Sequence, residues 1–449
     1  LNCFNCMQIR GTMPDAVTFT CCLRACGSLN DIEKGVEIHS QIVRNGLLGN
    51  EVSVGNALVD MYAKCGWFIK AKEVLNSLSF RDVSTWNSLI TSYAQRNCAE
   101  DVLKCYKELQ LDGVNPNAIT YACGLKACVA MLDINKGSDL HCETVERGLF
   151  TDDVVIGSTL IDMYAKCGML LDAQKVFDML PVRDVVTWTS LMSGYEEHDR
   201  GEEALDCFKK MQLEGLSPNS FTYACGLKAC GRIGAMDKGE EIHAEVKRKG
   251  LLTTNIIVGS AVVDMYAKCG SLSQAKNCFD ILPNLNNITW NALITGYAQV
   301  GKVSYVFHLL ERMIMEGNEP DIITFLNIVN VCSHAGLVDE GQFCFKVMRE
   351  KYQLTPTLRH FTCIVDLLGR AGQLNEVLAV ATETPFHIDI AMWLAILGAC
   401  RKWGNVKLGR YVFEQISKFD ETEIGAYISI HNIYADAGML GEDMSEIDG

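Results

Sequence analysis

The chain has 449 residues, 49% of them apolar, and a formal net charge of −15. It contains no run of about 18 or more uncharged apolar residues, which excludes a membrane-spanning helix of the hydropathy type. Its acidic balance excludes nucleic-acid binding driven by bulk phosphate neutralisation, leaving base contacts by side-chain hydrogen bonds, with positive charge concentrated locally.

In chain order, Leu1–Asp15 reads as the back half of a repeat, so earlier repeats and any targeting peptide are expected upstream of Leu1. The stretch Asp-Met-Tyr-Ala-Lys-Cys-Gly occurs at 60–66, 162–168 and 264–270, a step of 102 residues without insertion. Trp86, Trp188 and Trp290 keep this step, as do His39, His141 and His243, and Cys26, Cys128 and Cys230. So strict a period defines a repeat protein, each unit burying its face on its neighbours. Three sub-units fill one period: 16–51, 52–82 and 83–117, of 36, 31 and 35 residues. The series continues as 118–153, 154–184 and 185–219, then 220–255, 256–286 and 287–321. Looser units at 322–357 and 358–389 complete an array of eleven.

Each sub-unit reads as two helices. In 52–82, helical spacing predicts a first helix from Ser53 to Cys65 and a second around Ala71–Leu78. Gly66, Gly168 and Gly270 sit where a left-handed C-terminal cap is wanted. Asp82 and Asp184 stand immediately before a helix, as N-caps do. The 21 cysteines fall mostly at fixed repeat positions inside apolar patterns. They read as small buried hydrophobes in a reducing compartment rather than as a disulfide scaffold. With no strand signal, the expected fold is all-α: a solenoid of helix hairpins curving into a superhelix with a continuous concave face.

"NALVDMYAKCG" at 56–66, "TWNSLITSYAQ" at 85–95 and "TYACGLKAC" at 120–128, in alternating units of 35, 36 and 31 residues, resemble plant pentatricopeptide repeat proteins. The resemblance is to the class whose repeats alternate in length, and it covers almost the whole chain; it implies a right-handed superhelical array. "DLLGRAGQLNEV" at 366–377, "MWLAILGACRKWGNVKLG" at 392–409 and "YISIHNIYADAGML" at 427–440 resemble the last short repeat and the E-type extension of organellar RNA-editing factors. The extension, 390–449, reads as incomplete at its C-terminal end, and no deaminase-like domain follows in these residues.

The resemblance implies one base of single-stranded RNA per repeat, read by the fifth and last residues. Thr or Ser at the fifth position favours purines and Asn pyrimidines; a last Asp favours G or U, a last Asn favours A or C. Asn56 with Asp82 then reads U, Asn87 with Asn117 reads C with U tolerated, and Ser158 with Asp184 reads G. Thr189 with Asn219 and Ser260 with Asn286 read A, Asn291 with Asp321 reads U, and Thr362 with Asp389 reads G. The long repeats carry Thr20/Glu51, Ala122/Asp153, Ala224/Asn255 and Leu326/Thr357, which match no such pair and are expected to be spacers or weak readers. Running N to C along RNA 5′ to 3′, the implied core is 5′-U-C-n-G-A-n-A-U-n-G-3′, with the edited cytidine four bases beyond the final G. Val155, Val186, Ile257 and Ile288 at the second position are expected to sandwich bases, while Ser53, Ser84 and Arg359 depart from that pattern. Lys64, Lys166 and Lys268 recur near the end of the first helix, as phosphate contacts or as favourable charges at a helix C-terminus.

His141-Cys-Glu143 and His243-Ala-Glu245 match half of a zinc-deaminase motif, and Cys3-Phe-Asn-Cys6 matches the other half. The order is reversed and the proline is missing, so the histidines are expected in helix packing. No catalytic residue, metal or cofactor is expected. The resemblance implies a noncatalytic RNA-binding adaptor of mitochondrion or chloroplast, with a cytidine deaminase or other editing factors recruited in trans through the extension. Alternatives are a role in splicing, cleavage or stability of an organellar RNA, or a protein-interaction scaffold of 34-residue repeats, which the 36/31 alternation disfavours.

Overall fold

A computed structural model describes residues 1–48, 51–419 and 423–438, in two compact units, Leu1–Cys225 and Gly226–Gly449. Every regular element among the described residues is a helix, and the helices form successive hairpins, as expected for an all-α repeat array. The second unit carries the hairpins past residue 389 through Ile390–Trp403, Val406–Phe419 and Ile424–Asp436. The parts of the extension at 420–422 and 439–449 lie outside the described residues.

The length classes have a simple physical origin. In 52–82 the helices are Val52–Lys64 and Phe68–Ser77, of 13 and 10 residues. The second therefore starts three residues earlier than helical spacing alone predicts, with Trp67 rather than a polar residue at its cap. In 83–117 both helices, Val83–Gln95 and Ala99–Leu111, have 13 residues. The long unit 118–153 has Ala118–Met131 and Ile134–Glu146, then a single helical turn, Leu149–Asp152, begun by Gly148 at φ 71°. Leu251–Thr254 repeats that turn in the next copy. Short units thus lose one turn of the second helix, and the long units 118–153 and 220–255 gain a separate one. Gly66, Gly168 and Gly270 adopt φ of 80°, 81° and 78°, the left-handed conformation that closes the first helix at little steric cost.

The first helix of each hairpin is buried on most of its surface and the second on one face. In the second unit Val258, Val262, Val263 and Met265 are fully buried, while Leu272–Ile281 contributes Ala275, Cys278 and Phe279. Phe279 meets Trp290 of the next repeat edge to face at 4.7 Å, and the Arg312 guanidinium lies over both rings. Phe177 and Trp188 repeat that pair in the first unit at 4.5 Å. Ten of the 21 cysteines are buried and four are exposed, so the reading of cysteine as a packing residue holds for about half of them.

The repeated histidines join repeats. His39, His141 and His243 are half-buried, and Nδ1 of each lies 2.9 Å from the hydroxyl of Tyr62, Tyr164 or Tyr266 on the next first helix. Glu143 accepts from the Tyr106 hydroxyl at 2.6 Å. The His-x-Glu residues of that copy are thus committed to helix packing. Burial pushes all three imidazoles below their ordinary pKa. The native state therefore holds fewer protons than the unfolded chain just below pH 6.5, and stability present above that pH is lost as pH falls through the depressed values. Urea unfolding at pH 7.5 and 5.5 is expected to give a lower midpoint at 5.5, and replacing the three histidines by glutamine is expected to shrink that difference.

Candidate nucleic-acid interface

The junction between repeats positions the fifth and last residues together. The last residue sits in extended conformation and caps the next first helix. Asp82 (φ −97°, ψ 175°) accepts from the Thr85 N–H at 2.8 Å, and the Thr85 hydroxyl accepts from the Asp82 N–H at 3.2 Å, a capping box. Asn117 with Thr120, Asp184 with Thr187 and Asp321 with Thr324 repeat it. Asn219 and Asn286 cap in the same way. Asp389 caps through the Met392 N–H at 2.9 Å.

One turn inside the preceding first helix, the fifth residue reaches that cap. Asn56 Nδ2 donates to Asp82 at 3.2 Å, and Asn291 Nδ2 donates to Asp321 Oδ1 and Oδ2 at 2.9 and 3.1 Å. Asn87 Nδ2 donates to Asn117 Oδ1 at 2.8 Å, and Ser260 Oγ lies 3.4 Å from Asn286 Oδ1. Thr189 approaches its junction through Thr222, hydroxyl to hydroxyl at 2.8 Å. Thr189 and Ser260 also donate to carbonyls of their own helices, Val185 at 2.6 Å and Ile256 at 2.7 Å, as do Ser158 and Thr362 to Val155 and Leu358, each at 3.0 Å. Burial acts to raise the Asp82 pKa, but hydrogen bonds from Thr85 and Asn56 outweigh it and hold the carboxyl below its ordinary value. It stays an acceptor at neutral pH.

Beside these polar pairs stand apolar side chains in solvent. Val155, Val186, Ile257 and Ile288 are 59%, 53%, 42% and 67% exposed. Val17, Ile119, Phe221 and Ile323 hold the same second position, are 53–69% exposed, and were not singled out by sequence. Each is followed by a third residue at zero or near-zero exposure, or by Thr18 at the first junction, so the change of facing is sharp. An exposed apolar side chain next to a recessed polar pair offers a flat face to an aromatic ring and hydrogen bonds to its edge.

The long repeats are built differently. Asp153 and Asn255 have ψ of 107° and 108° and cap through Val155 N–H and Ile257 N–H, two residues on. The next repeats put Ile156 and Val258 where the repeats starting at 83, 118, 185, 220, 287 and 322 have Thr. Ala122 and Ala224 carry no polar side-chain atom, and Thr20 bonds to the Ala16 carbonyl at 2.8 Å.

The three lysines are not free charges. Lys64, Lys166 and Lys268 pair with Asp60, Asp162 and Asp264 of the same helix at 2.7, 3.0 and 2.7 Å. Such part-exposed pairs are worth at most about 1 kcal/mol and can exchange partners readily.

The "PPR repeat family" matches residues 81–130, 183–232 and 285–351, and the related "PPR repeat" matches 17–47, 56–83 and 158–185. An Arabidopsis thaliana pentatricopeptide repeat-containing protein named as chloroplastic is 35% identical over 446 residues, 96% of this chain and 50% of its own length. Another from the same plant, named as mitochondrial, is 32% identical over 439 residues, 97% of this chain and 70% of its own length. The chain spans about half the length of several of the curated relatives it matches. Among solved structures, the pentatricopeptide repeat protein PPR10 in complex with an 18-nt psaJ RNA element matches with a TM-score of 0.67 at 16% identity, over 97% of this chain and 68% of that one. That likeness establishes a common fold.

The geometry separates the two duties of the last residue. Asp321→Asn keeps the Oδ1 acceptor of the cap and is expected to leave the thermal midpoint close to that of the parent. Asp321→Ala removes the cap and is expected to cost about 1 kcal/mol, measured by chemical denaturation of both variants.

Proposed function

The chain belongs to the pentatricopeptide repeat family, and from that premise we propose that it is a sequence-specific adaptor for single-stranded RNA that selects sites in organellar transcripts for C-to-U editing. The deaminase is supplied in trans and recruited through the extension at 390–449. Relatives named as chloroplastic or mitochondrial support the organellar compartment.

The observation that carries the reading is the direct hydrogen bond between fifth and last residues at Asn56/Asp82, Asn87/Asn117 and Asn291/Asp321. It suggests why the last residue separates the bases. Its Oδ1 is spent on the helix cap, so Oδ2 of Asp or Nδ2 of Asn is the atom that distinguishes one repeat from another. A carboxylate oxygen accepts from N3–H of U or N1–H of G, and an amide N–H donates to N3 of C or N1 of A. The exposed second-position side chains, Val155, Val186, Ile257 and Ile288, supply the apolar faces between which bases stack. Lys64, Lys166 and Lys268 meet phosphates by exchanging Asp60, Asp162 and Asp264 for the RNA backbone. Each exchange frees a carboxylate, which limits the net gain of charge and keeps the salt dependence of binding shallow.

RNA carrying 5′-U-C-n-G-A-n-A-U-n-G-3′, titrated at two salt concentrations, is expected to bind tightly. Exchanging G and A at the sites of Ser158 and Thr189 is expected to weaken binding by roughly tenfold or more, the usual scale of base mismatches. DNA of the same sequence is the second control. Equal, salt-sensitive binding of all three would reduce the surface to an unspecific one, and no binding by the folded protein would favour a protein scaffold.

A further inference from the structure

We propose that the buried threonine at the third position of a repeat is a specificity-positioning residue for the repeat before it: its hydroxyl fixes which edge of the fifth-residue side chain faces the base. This inference rests on the RNA-reading function proposed above and adds a third side chain to the reading units of Asn56, Asn87, Thr189, Ser260 and Asn291.

The contact recurs in both units. Thr85 Oγ1 donates to Asn56 Oδ1, Thr120 Oγ1 to Asn87 Oδ1 at 2.8 Å, and Thr324 Oγ1 to Asn291 Oδ1 at 2.7 Å. Thr289 meets the Ser260 hydroxyl at 2.6 Å and Thr222 meets Thr189 at 2.8 Å. All five threonines have zero exposure. In the asparagine repeats the bonds close a ring. The last residue's N–H donates to the threonine oxygen, the threonine hydroxyl donates to the asparagine oxygen, and the asparagine amide donates back to the last residue. The threonine oxygen also lies 2.8 to 3.0 Å from the last residue's Oδ1, so its one hydroxyl proton has two acceptors in reach, and the ring closes when it goes to the asparagine.

The ring leaves the asparagine with one amide proton and one oxygen lone pair unused, in a fixed order. A carboxamide turned by half a revolution would present the reverse order. U and C differ in just that respect along their pairing edges, N3 being a donor in one and an acceptor in the other. Asn56, Asn87 and Asn291 are pinned in the same order, so the last residue, Asp82, Asn117 or Asp321, sets which pyrimidine completes the pattern, and pinning keeps a turned carboxamide from accepting the other.

The distribution of the residue follows the same logic in all but the last two junctions, where Met392 follows the assigned repeat of Thr362 and His360 follows the long repeat of Leu326. Thr85, Thr120, Thr187, Thr222, Thr289 and Thr324 each follow a repeat whose fifth residue is Asn, Ser or Thr and which is assigned a base. After the long repeats of Thr20, Ala122 and Ala224 the position is Val54, Ile156 or Val258, all at zero exposure. Thr187 is the informative exception among the six. Its hydroxyl donates to the Asp184 carbonyl at 2.8 Å, and Ser158 bonds to its own helix. It shares the capping box and the burial without the contact to the fifth residue.

The test compares Thr324→Val with Thr187→Val. Both remove a buried capping-box hydroxyl, so both carry a similar structural change. Binding is measured to RNAs bearing U or C at the Asn291 site and G or A at the Ser158 site. The parent protein is expected to favour U over C by about fivefold or more. Thr324→Val is expected to bring that ratio to within about twofold of unity, and Thr324→Ser to restore it. Thr187→Val is expected to leave the G-over-A ratio unchanged. Thr85→Val, assayed with U or C at the Asn56 site, repeats the test in the other unit should Thr324→Val fold poorly. A parent that discriminates and a valine variant that discriminates equally well would overturn the inference while leaving the RNA-reading function intact. A parent with no preference at either site would overturn both.

Discussion

The hydrogen-bonded cap at each repeat junction is the constraint on which the rest depends. A first helix begins with N–H groups that its own backbone cannot satisfy. Asp82, Asn117, Asp184 and Asp321 satisfy one of them and fix the start of the helix. Because the preceding first helix packs beside that start, the capping side chain is also within reach of the fifth residue one repeat back. One side chain thereby ends a repeat, begins the next and supports a polar pair. On the proposed function, folding and recognition meet at these positions, and Asp and Asn are both able to cap.

The acidic charge fits the proposed reading of base edges rather than phosphates. Neutral amides, hydroxyls and exposed valine and isoleucine side chains supply directional or apolar contacts that depend little on counterion release. The lysines on the same helices are already balanced by aspartates one turn before them. On the proposed function, base contacts carry a larger share of affinity than in a basic protein, and specificity gains what nonspecific attraction gives up.

Much of this was legible in the chain. The 102-residue step, the closing glycines and the Asp or Asn before each helix are local signals, and the structure bears out the left-handed glycines and the caps. The single turn ending 118–153 and 220–255 has no signal in the sequence, because four residues are too few to display a helical period. The pairing of Lys64 with Asp60 was present in the sequence as a spacing of four residues and was passed over in favour of the charge alone. The third-position threonine was visible too, three residues after each cap. Its partner lies about thirty residues back, however, and periodicity within a helix reports burial, not which neighbour a hydroxyl meets. The second-position ladder was half seen: Val17, Ile119, Phe221 and Ile323 belong to long repeats, which carry the same exposed face without a paired polar edge.

The central claim is that a fifth residue and a last residue jointly choose one base, and exchanging both in a single repeat tests it most directly. The double variant Asn291→Thr with Asp321→Asn keeps a cap at the junction and installs the pair found at Thr189 and Asn219. Binding competition among four RNAs that differ only at that site is predicted to change the preferred base from U to A, with the preferences at the Asn56 and Ser158 sites unaltered. A preference that stays at U, or an equal loss for all four RNAs, would contradict the account.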